Sequence, residues 1–442
     1  MTRKRLLYLA VGLVLLALIG TRAPAPALAA ASPEVKEFKL GMLNSMTGAF
    51  VPESLNGYRG SKIAVDMINA RGGIAGKVKI IPAVADAQSN PDIALREAER
   101  LISVEGVSMI IGVYSSSIAK PLALLCEKNK VIFSPTIAIS DAVVKDRHLH
   151  YTFRIEPMGS QWAYGNANYI KDYHKKLGFG SPSDIKCAVI HEDGPYGCSV
   201  GDAYPALFKE YGMQLVLKES YSHEIKDTTP LILKLKASKQ DVIFHTGYAP
   251  DITLFLRQAP GMGLKTRAIV GAAYAILPEI VETVGETKVN YHHNIDPPLL
   301  HMVDRSKIPP DQGPVIDEFL KRLNAEYGPK AHKALHYTTG FAHTWIFLDE
   351  ILPRALEKYG DLSGASIEKA ARETDIPDKG TVIGYGVKFA PTDHVLSGQN
   401  LRSSPCVMQY IHPKWTIVWP EALKTGEPVI PIPQESPLSI FK

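Results

Sequence analysis

The sequence has few cysteines, a moderate share of charged residues and no apolar run long enough to span a bilayer. Four cysteines among 442 residues exclude a fold held together mainly by disulfides. Charged residues form 21% of the chain and hydrophobic residues 45%, a composition that excludes an intrinsically disordered chain. The apolar run over residues 6–20 is fifteen residues long, which is shorter than the roughly 20 residues that span a bilayer. A soluble globular protein with more than one core is therefore expected.

The N-terminus has the three parts of a secretory signal. Arg3, Lys4 and Arg5 precede the apolar run, and Ala27-Leu28-Ala29 supplies small residues two apart. This pattern predicts a cleaved signal peptide over residues 1–29 and export to the periplasm. A retained N-terminal anchor is the alternative.

The predicted mature chain also has no excess of either positive or negative charge. Residues 1–29 contain four basic residues and no acidic one, and the whole chain has 49 basic and 45 acidic residues. Cleavage would therefore leave no net charge and no basic block. Nucleic acid is accordingly not expected as a partner.

The cysteines are expected to be free and buried. Cys187 opens a predicted strand, whereas Cys198 follows the far end of that strand. A disulfide needs Cα atoms within about 7 Å of each other. The spacing therefore argues against a bridge between these two thiols.

The segment 109–125, M-I-I-G-V-Y-S-S-S-I-A-K-P-L-A-L-L, gives the first indication of a binding site. A short apolar strand ends at Gly112-Val113, and Tyr114 and three serines precede a helix with Pro121 in its first turn. The start of a helix attracts anions, and ligands bind at the carboxyl ends of parallel strands. Ser115, Ser116 and Ser117 are therefore predicted to hold a carboxylate. The alternative is an N-cap followed by polar turn residues.

Strands and helices alternate along most of the chain. Predicted strands cover 38–43, 78–84, 109–113, 131–134, 187–191, 214–218 and 241–246, and short extended runs are predicted at 387–389, 407–412 and 416–419. This alternation predicts an α/β fold with mostly parallel sheets, arranged as two doubly wound lobes around a cleft. Residues 44–56 are expected to form a polar loop, and a long helix over 335–359 is expected to kink at Pro353.

Several motifs in order resemble one family. They are F-K-L-G-M-L-N-S-M-T-G, I-N-A-R-G-G-I-A-G, G-V-Y-S-S-S, D-G-P-Y-G-C-S and G-Y-A-P-D followed by L-R-Q-A-P-G-M-G-L-K. Together they resemble the periplasmic branched-chain amino-acid binding proteins, which are the extracellular receptors of ABC importers. The resemblance covers roughly residues 38–345.

The resemblance implies a type I periplasmic-binding-protein fold of two lobes joined by three crossovers. The lobes are expected at 36–156 plus 297–385 and at 157–296 plus 386–430, with a tail over 431–442. The ligand would be a small molecule, an amino acid or a carboxylate, that closes the lobes for recognition by the membrane permease of an ABC importer. A sensory role, with a signalling partner in place of the permease, is the alternative. The resemblance implies a monomeric binding protein and no enzyme, with no cofactor and no metal.

The family's binding residues match only in part. Its carboxylate-binding serine falls on Ser116, and its cleft tyrosines fall on Tyr196 and Tyr248. Its threonine falls on Ala138, so Thr136 or Ser140 would have to supply the missing hydroxyl.

The acid that neutralises the ligand's α-ammonium group in the family falls on Ala273. A buried ammonium without a countercharge is costly. Glu53 or Asp251 could replace that acid, while Tyr114 and Tyr274 would help to select the ligand. An aromatic or aliphatic acid without an amine, or an amide, is the alternative ligand.

Two short patterns in the sequence are typical of other chemistries. Ser117-Ile118-Ala119-Lys120 is an S-x-x-K pattern and Lys424-Thr425-Gly426 is K-T-G, as in serine acyl-transfer enzymes, but no S-x-N element lies between them. His332 and His336 have the i, i+4 spacing of metal ligands without the acid of H-E-x-x-H, so packing or surface roles are favoured.

Overall fold

The first of two sheets is built from the N-terminal part of the chain. The computed structural model describes residues 36–272 and 278–441. Its strands are β1 (Lys36–Asn44), β2 (Val78–Asp86), β3 (Met109–Gly112) and β4 (Ile132–Pro135), in the order β2-β1-β3-β4. The connecting helices are α1 (Val51–Ala70), α2 (Pro91–Ser103) and α3 (Ser116–Asn129). The β1–β3 and β3–β4 pairs are parallel, as the alternation predicts.

The second sheet comes from the middle of the chain and a later hairpin. The helices and strands that follow β4 are α4 (Gly159–Asp172), β5 (Lys186–Glu192), α5 (Pro195–Gly201), α6 (Tyr204–Tyr211), β6 (Gln214–Tyr221), α7 (Thr229–Ser238), β7 (Val242–Thr246), α8 (Ala249–Gly261), β8 (Ala268–Ala272), α9 (Pro278–Val284), α10 (Glu286–Val289), β9 (His293–Asp296), α11 (Gln312–Tyr327), α12 (Leu335–Ile346), α13 (Leu352–Tyr359), α14 (Gly364–Arg372), β10 (Asp375–Ile376), β11 (Val387–Lys388), β12 (Cys406–Ile411) and β13 (Lys414–Trp419). The strand order is β13-β12-β9-β8-β7-β5-β6, with β10 and β11 forming a separate antiparallel pair. Strands β5 to β9 pair in parallel, while β12 runs antiparallel to β9 and to β13.

The chain passes between the two sheets three times. The first passage leads from β4 to α4, the second from β9 to α11, and the third from β11 to β12. Arg154 on the first passage is fully buried, and its Nε donates to Gln399 Oε1 on the third passage at 2.7 Å. This charge-assisted hydrogen bond ties two of the three connections together.

Local sequence explains where the elements begin and what they bury. Helix α2 begins after Asn90, whose side-chain oxygen accepts hydrogen bonds from the backbone N–H groups of Asp92 and Ile93 at 2.9 and 3.1 Å. Strands β3, β4, β7, β8 and β9 are buried along their whole length. Such continuous burial is typical of parallel strands that are covered on both faces.

Helices α1 and α12 cross at backbone contact. A Cβ at Gly60 would overlap the carbonyl oxygen of Tyr337, and one at Gly340 would overlap that of Gly57. Ser61 Oγ donates to the Gly340 carbonyl oxygen at 3.0 Å in the same crossing. Only glycine permits so close an approach, so the two helices are fixed against each other.

The helix predicted over 335–359 is irregular just ahead of Pro353. Helix α12 ends at Ile346, a π-helical turn covers Phe347–Ile351, and α13 begins at Leu352, immediately before Pro353. The π-helical turn accommodates the missing N–H of proline and the clash of its ring with the preceding turn, so the helix continues without a break.

Two local predictions were wrong. The polar loop predicted over 44–56 ends at residue 50, because α1 begins at Val51 with Pro52 in its first turn. Pro121 lies inside α3 and not in its first turn, because α3 begins at Ser116. Strands β8 and β9 and helix α14 were not predicted.

The remaining predictions concern the cysteines, the C-terminal tail and the N-terminal signal. All four cysteines are free thiols, three of them buried and Cys198 half-buried. The tail is attached to the second sheet, since the Ile432 N–H donates to the Arg267 carbonyl oxygen at 2.7 Å. Within residues 36–272 and 278–441, no helix combines the length and apolar character needed to cross a bilayer. The predicted signal peptide lies outside the described residues.

Candidate functional site

The loop that joins β3 to α3 is held in a constrained backbone conformation. Gly112 has φ of +118°, and a Cβ there would overlap the Leu43 carbonyl oxygen. Val113 follows with φ of +67°, which is costly for a β-branched residue. Such strain persists only where the surrounding structure enforces it, and it is frequent at binding sites. It places Tyr114 and the serines at the carboxyl end of β3.

The three serines have different partners. Ser115 is the N-cap of α3, but its hydroxyl bonds the Ser117 hydroxyl at 2.6 Å and not the helix backbone. Ser116 Oγ accepts a hydrogen bond from the Ser140 backbone N–H at 3.1 Å. The N–H groups of Ser116 and Ser117 have no acceptor among the described residues. These two N–H groups lie at the positive end of α3, and the predicted binding of an anion there stays a prediction.

A small enclosed space lies beside Ser116. This cavity has a volume of about 20 Å³, which is room for about one water molecule. Its walls, called here the cavity cluster, come from both sheets and are formed by Tyr114, Ser116, Ile137, Ile139, Trp162, Tyr196, Tyr248 and His336. The structure thus brings together four of the residues predicted from sequence and adds four others.

Aromatic rings pack closely around this cavity. The ring of Tyr248 lies 5.1 Å from that of Tyr196, 5.7 Å from that of Tyr114 and 5.0 Å from that of Phe50. These are ordinary separations for interacting aromatic pairs. A ligand larger than water therefore enters only if the rings around Tyr248 separate.

The two tyrosines from the second sheet are positioned by helix starts. Tyr196 lies in the first turn of α5, where the Glu192 carboxylate accepts from the N–H groups of Gly194 and Gly197. Tyr248 is the N-cap of α8, and its backbone N–H donates to Asp251 Oδ1 at 2.8 Å. Each tyrosine thus has a carboxylate that fixes its backbone, which aims the ring at the cavity.

Asp251 is already engaged. Its second oxygen, Oδ2, accepts from the Tyr221 hydroxyl at 2.7 Å, and that hydroxyl also bonds His245 Nε2 at 2.7 Å. Burial raises the pKa of Asp251 to about 7. Asp251 is therefore a partly protonated helix cap and a poor countercharge for an ammonium group.

Glu53 lies on a helix and not in the predicted loop, because α1 begins two residues earlier. Its side chain is buried, and after burial its negative charge is the strongest influence raising the pKa of the Tyr114 phenol. Glu53 is thus close to the cavity cluster, although it does not line the cavity.

The segment after β4 presents alternate residues to the cavity. Ile137 and Ile139 line it, whereas Thr136 and Ala138 do not. The carbonyl oxygen of Thr136 accepts from His343 Nδ1 at 2.7 Å, and that of Ala138 accepts from Arg154 Nη1 at 3.3 Å. Their role in binding stays a prediction. Ala273 and Tyr274 lie outside the described residues.

Trp162 and His336 were not predicted as site residues. Trp162 is in the first turn of α4, and His336 is the second residue of α12, edge-on to the Tyr114 ring at 5.2 Å. His332 is only half-buried, and both ring nitrogens of His343 are bonded, to Thr136 and to the Tyr385 hydroxyl. Of the histidines in this region, His336 therefore lines the cavity, whereas His332 and His343 make packing or hydrogen-bond contacts elsewhere.

The S-x-x-K pattern does not form an evident catalytic pair. The Ser117 hydroxyl bonds Ser115, and the side chain of Lys120 is exposed. A lysine that activates serine has to reach the hydroxyl and lose its proton, which burial favours. This geometry gives no support to acyl-transfer chemistry.

Two other features do not include the serine loop. A cavity of about 690 Å³ is bordered by charged groups at the surface, such as Lys330 and Glu282 at 3.6 Å from each other. Ligand atoms of Glu192, Asp193 and His223 lie within 4.8 Å of one another, but the Glu192 carboxylate already accepts two backbone N–H groups. Neither feature includes a residue of the serine loop.

Comparison with known proteins gives one consistent family. The periplasmic binding protein family matches residues 37–401. The Leu/Ile/Val-binding protein homolog 7 of Brucella suis biovar 1 (strain 1330) is 32% identical over 407 residues, covering 91% of this chain and 96% of that protein. Homolog 8 of Brucella abortus (strain 2308) is 31% identical over 388 residues, covering 87% and 91%.

Solved structures of the same fold have been determined with different ligands. The branched-chain amino acid transporter substrate binding protein LivJ from Streptococcus pneumoniae, in complex with isoleucine, has a TM-score of 0.69 at 19% identity and covers 90% of this chain and 100% of that one. An ABC transporter solute binding protein from R. palustris, in complex with benzoate, has a TM-score of 0.69 at 13% identity and covers 86% and 95%. At these identities the likeness establishes the fold alone.

Proposed function

The chain belongs to the periplasmic binding protein family, and from this premise we propose that it is the substrate-binding component of an ABC importer. It captures an amino acid or a related small carboxylate in the periplasm and delivers it to a membrane permease. It performs no covalent chemistry, requires no cofactor and acts as a monomer. The proposed lobes are 36–156 with 297–385 and 157–296 with 386–430, and the ligand closes them.

One observation carries this proposal. Ser116, at the positive end of α3 on the first sheet, shares a single cavity with Tyr196 and Tyr248 from the second sheet. The two N–H groups at that helix end favour an anionic oxygen. A carboxylate bound there would contact residues from both sheets, and a ligand that bridges two bodies favours their closure.

The isoleucine complex of the S. pneumoniae protein supports an amino acid as the ligand. Glu53 is the proposed partner of its ammonium group, because Glu53 is buried and acts electrostatically on Tyr114 and Tyr248. Three other acids lie near the tyrosines, Glu192, Asp251 and Asp296, and burial raises the pKa of each of them.

A carboxylate without an amine is the second candidate. Ala273 stands where the family has its ammonium-binding acid, and Asp251 is engaged by Tyr221 and by the Tyr248 backbone. The rings of Tyr114, Trp162 and Tyr248 would suit a flat apolar body. The benzoate complex of the R. palustris protein supports this candidate.

A thermal-shift panel of matched compounds tests both candidates. It pairs L-leucine with 4-methylpentanoate and L-phenylalanine with 3-phenylpropanoate, and it adds benzoate. A compound at 100 times its Kd should stabilise the protein by about 2.7 kcal/mol. Stabilisation by the amino acids alone would select an amino acid as the ligand and make Glu53, and then Asp251, the residue to substitute next; stabilisation by the deaminated acids would select the second candidate.

Two controls complete the panel. 3-Methylbutylamine, which keeps the amine and lacks the carboxylate, should give no shift. A serine-reactive acylating probe should leave the protein unlabelled, and labelling at Ser117 would favour an acyl-transfer enzyme. If no carboxylate stabilises the protein, the proposed function is wrong.

A further inference from the structure

Three residues that line the cavity each carry a buried polar atom without a hydrogen-bond partner among the described residues. These atoms are Trp162 Nε1, the Tyr196 hydroxyl and His336 Nδ1. All three residues line the same cavity of about 20 Å³. Buried polar groups are normally hydrogen-bonded, so three open groups around one small space need an explanation.

These three residues differ from others with unpartnered atoms because all three line the same cavity. Ser134 Oγ and Thr136 Oγ1 are also buried without a partner among the described residues, but neither residue lines the cavity. A void whose walls offer several open polar groups is suited to a polar guest, which is either a water molecule or a ligand atom.

The chemistry of the open groups defines that guest. An indole N–H only donates, so the atom opposite Trp162 must be an acceptor. The Tyr196 hydroxyl can donate to the same atom. Burial lowers the pKa of His336 to about 3, so the imidazole is neutral at physiological pH and contributes a hydrogen bond and no charge. Neutral donors beside a helix N-terminus form a site for a carboxylate oxygen.

Resting on the proposed function, we propose that Trp162 and His336 bind the ligand, with the Trp162 indole N–H and the His336 imidazole holding the carboxylate end across from Ser116. They determine specificity because a ligand without an acceptor at this point would leave the indole N–H buried and unpaired.

Through the ligand, Trp162 and His336 would connect the parts of the protein that contain the first and the second sheet. Trp162 lies on α4, which is held to the second sheet by Asn166 Nδ2 donating to the Gly271 carbonyl oxygen at 3.4 Å. His336 lies on α12, which is held to α1 of the first sheet by the glycine crossing. A carboxylate that contacts both residues therefore spans the two sheets.

The test uses Trp162→Phe and His336→Phe in the full mature chain, with Trp419→Phe as the matched control. Trp419 lies on β13, and its indole N–H already donates to Asp172 Oδ2 at 3.0 Å. Calorimetry with L-leucine, 4-methylpentanoate, 3-phenylpropanoate and benzoate should show at least tenfold weaker binding for Trp162→Phe and about fivefold for His336→Phe. Trp419→Phe should bind within twofold of the wild type.

A second measurement does not depend on a variant that folds well. In ¹⁵N-labelled wild type, the indole N–H resonance of Trp162, identified by its loss in Trp162→Phe, should shift when the compound saturates the protein. Unchanged affinity of Trp162→Phe, or binding that leaves this resonance in place, would overturn the proposal and indicate a structural water between the three groups. Failure of every carboxylate to bind the wild type would overturn the proposed function, and this proposal with it.

Discussion

Tyr248 has buried polar neighbours of two kinds, which differ in whether their hydrogen bonds are made. The first group is Asp251 with Tyr221, and the second is the set of cavity residues that includes Tyr196. In the first group, Asp251 has both carboxylate oxygens engaged, by the Tyr221 hydroxyl and by the Tyr248 backbone N–H. In the second group, the hydroxyl of Tyr196 has no partner among the described residues. The first group supports the fold, whereas the second is the group that we propose binds the ligand. Hydrogen-bond satisfaction separates the two roles better than residue type does.

The largest expected effect is on the pH dependence of stability, measured for Asp251→Asn. The pKa of Asp251 is raised from 3.8 to about 7 in the folded protein, so the folded state binds more protons than the unfolded state between these values. The free energy of unfolding of the wild type should therefore fall, relative to that of Asp251→Asn, as pH rises from 4 to 7. The full difference is about 4 kcal/mol, measured by urea unfolding at each pH.

The control for that series is Asp317→Asn on α11, an acid whose side chain is 72% exposed. Its ion pair with Arg305 at 3.3 Å is exposed, so the free energy of unfolding of Asp317→Asn should stay within about 1 kcal/mol of that of the wild type. If the difference in stability between Asp251→Asn and the wild type did not change with pH, Asp251 would not be a buried acid in the folded protein.

Tyr221→Phe removes a hydroxyl that makes hydrogen bonds. It leaves Asp251 Oδ2 and His245 Nε2 without the Tyr221 hydroxyl, and such losses destabilise by about 1–3 kcal/mol. Affinity for the compound that stabilises the wild type should stay within twofold. Weaker binding without a stability loss would place Tyr221 in the binding group.

Tyr196→Phe is the matched change in the second group. Its hydroxyl has no partner among the described residues, so the melting temperature of the ligand-free protein should stay the same or rise. Affinity should fall about tenfold, which corresponds to about 1.4 kcal/mol, as measured by calorimetry. A marked loss of stability with unchanged affinity would reverse the assignment of the two tyrosines.

Ser116→Ala should give the smallest change in stability and affinity. The Ser116 side chain belongs to both groups. The Ser116 hydroxyl accepts from the Ser140 N–H and also lines the cavity. Both stability and binding should therefore fall by about 1 kcal/mol each. Unchanged affinity in the calorimeter would remove the Ser116 side chain from the site and leave only the helix N-terminus there.

The sequence predicted most of the fold and half of the cavity wall. Alternating strands and helices were evident because buried parallel strands are continuous apolar runs, as in β3. Trp162 and His336 were missed because each lies in the first turn of a helix whose direction depends on packing over long distances. The engagement of Asp251 was also hidden, because its partner Tyr221 comes from the end of another strand.

The glycine crossing of α1 and α12 has a consequence for how the protein folds. The residues joined by the Ser61–Gly340 hydrogen bond are 279 positions apart in the sequence. Contacts so distant in sequence slow the folding reaction. Helix α1, which carries Glu53, therefore lacks its packing partner in any fragment of the chain that ends before α12. Such a fragment would contain the serine loop without a completed site, so it should not bind the ligand.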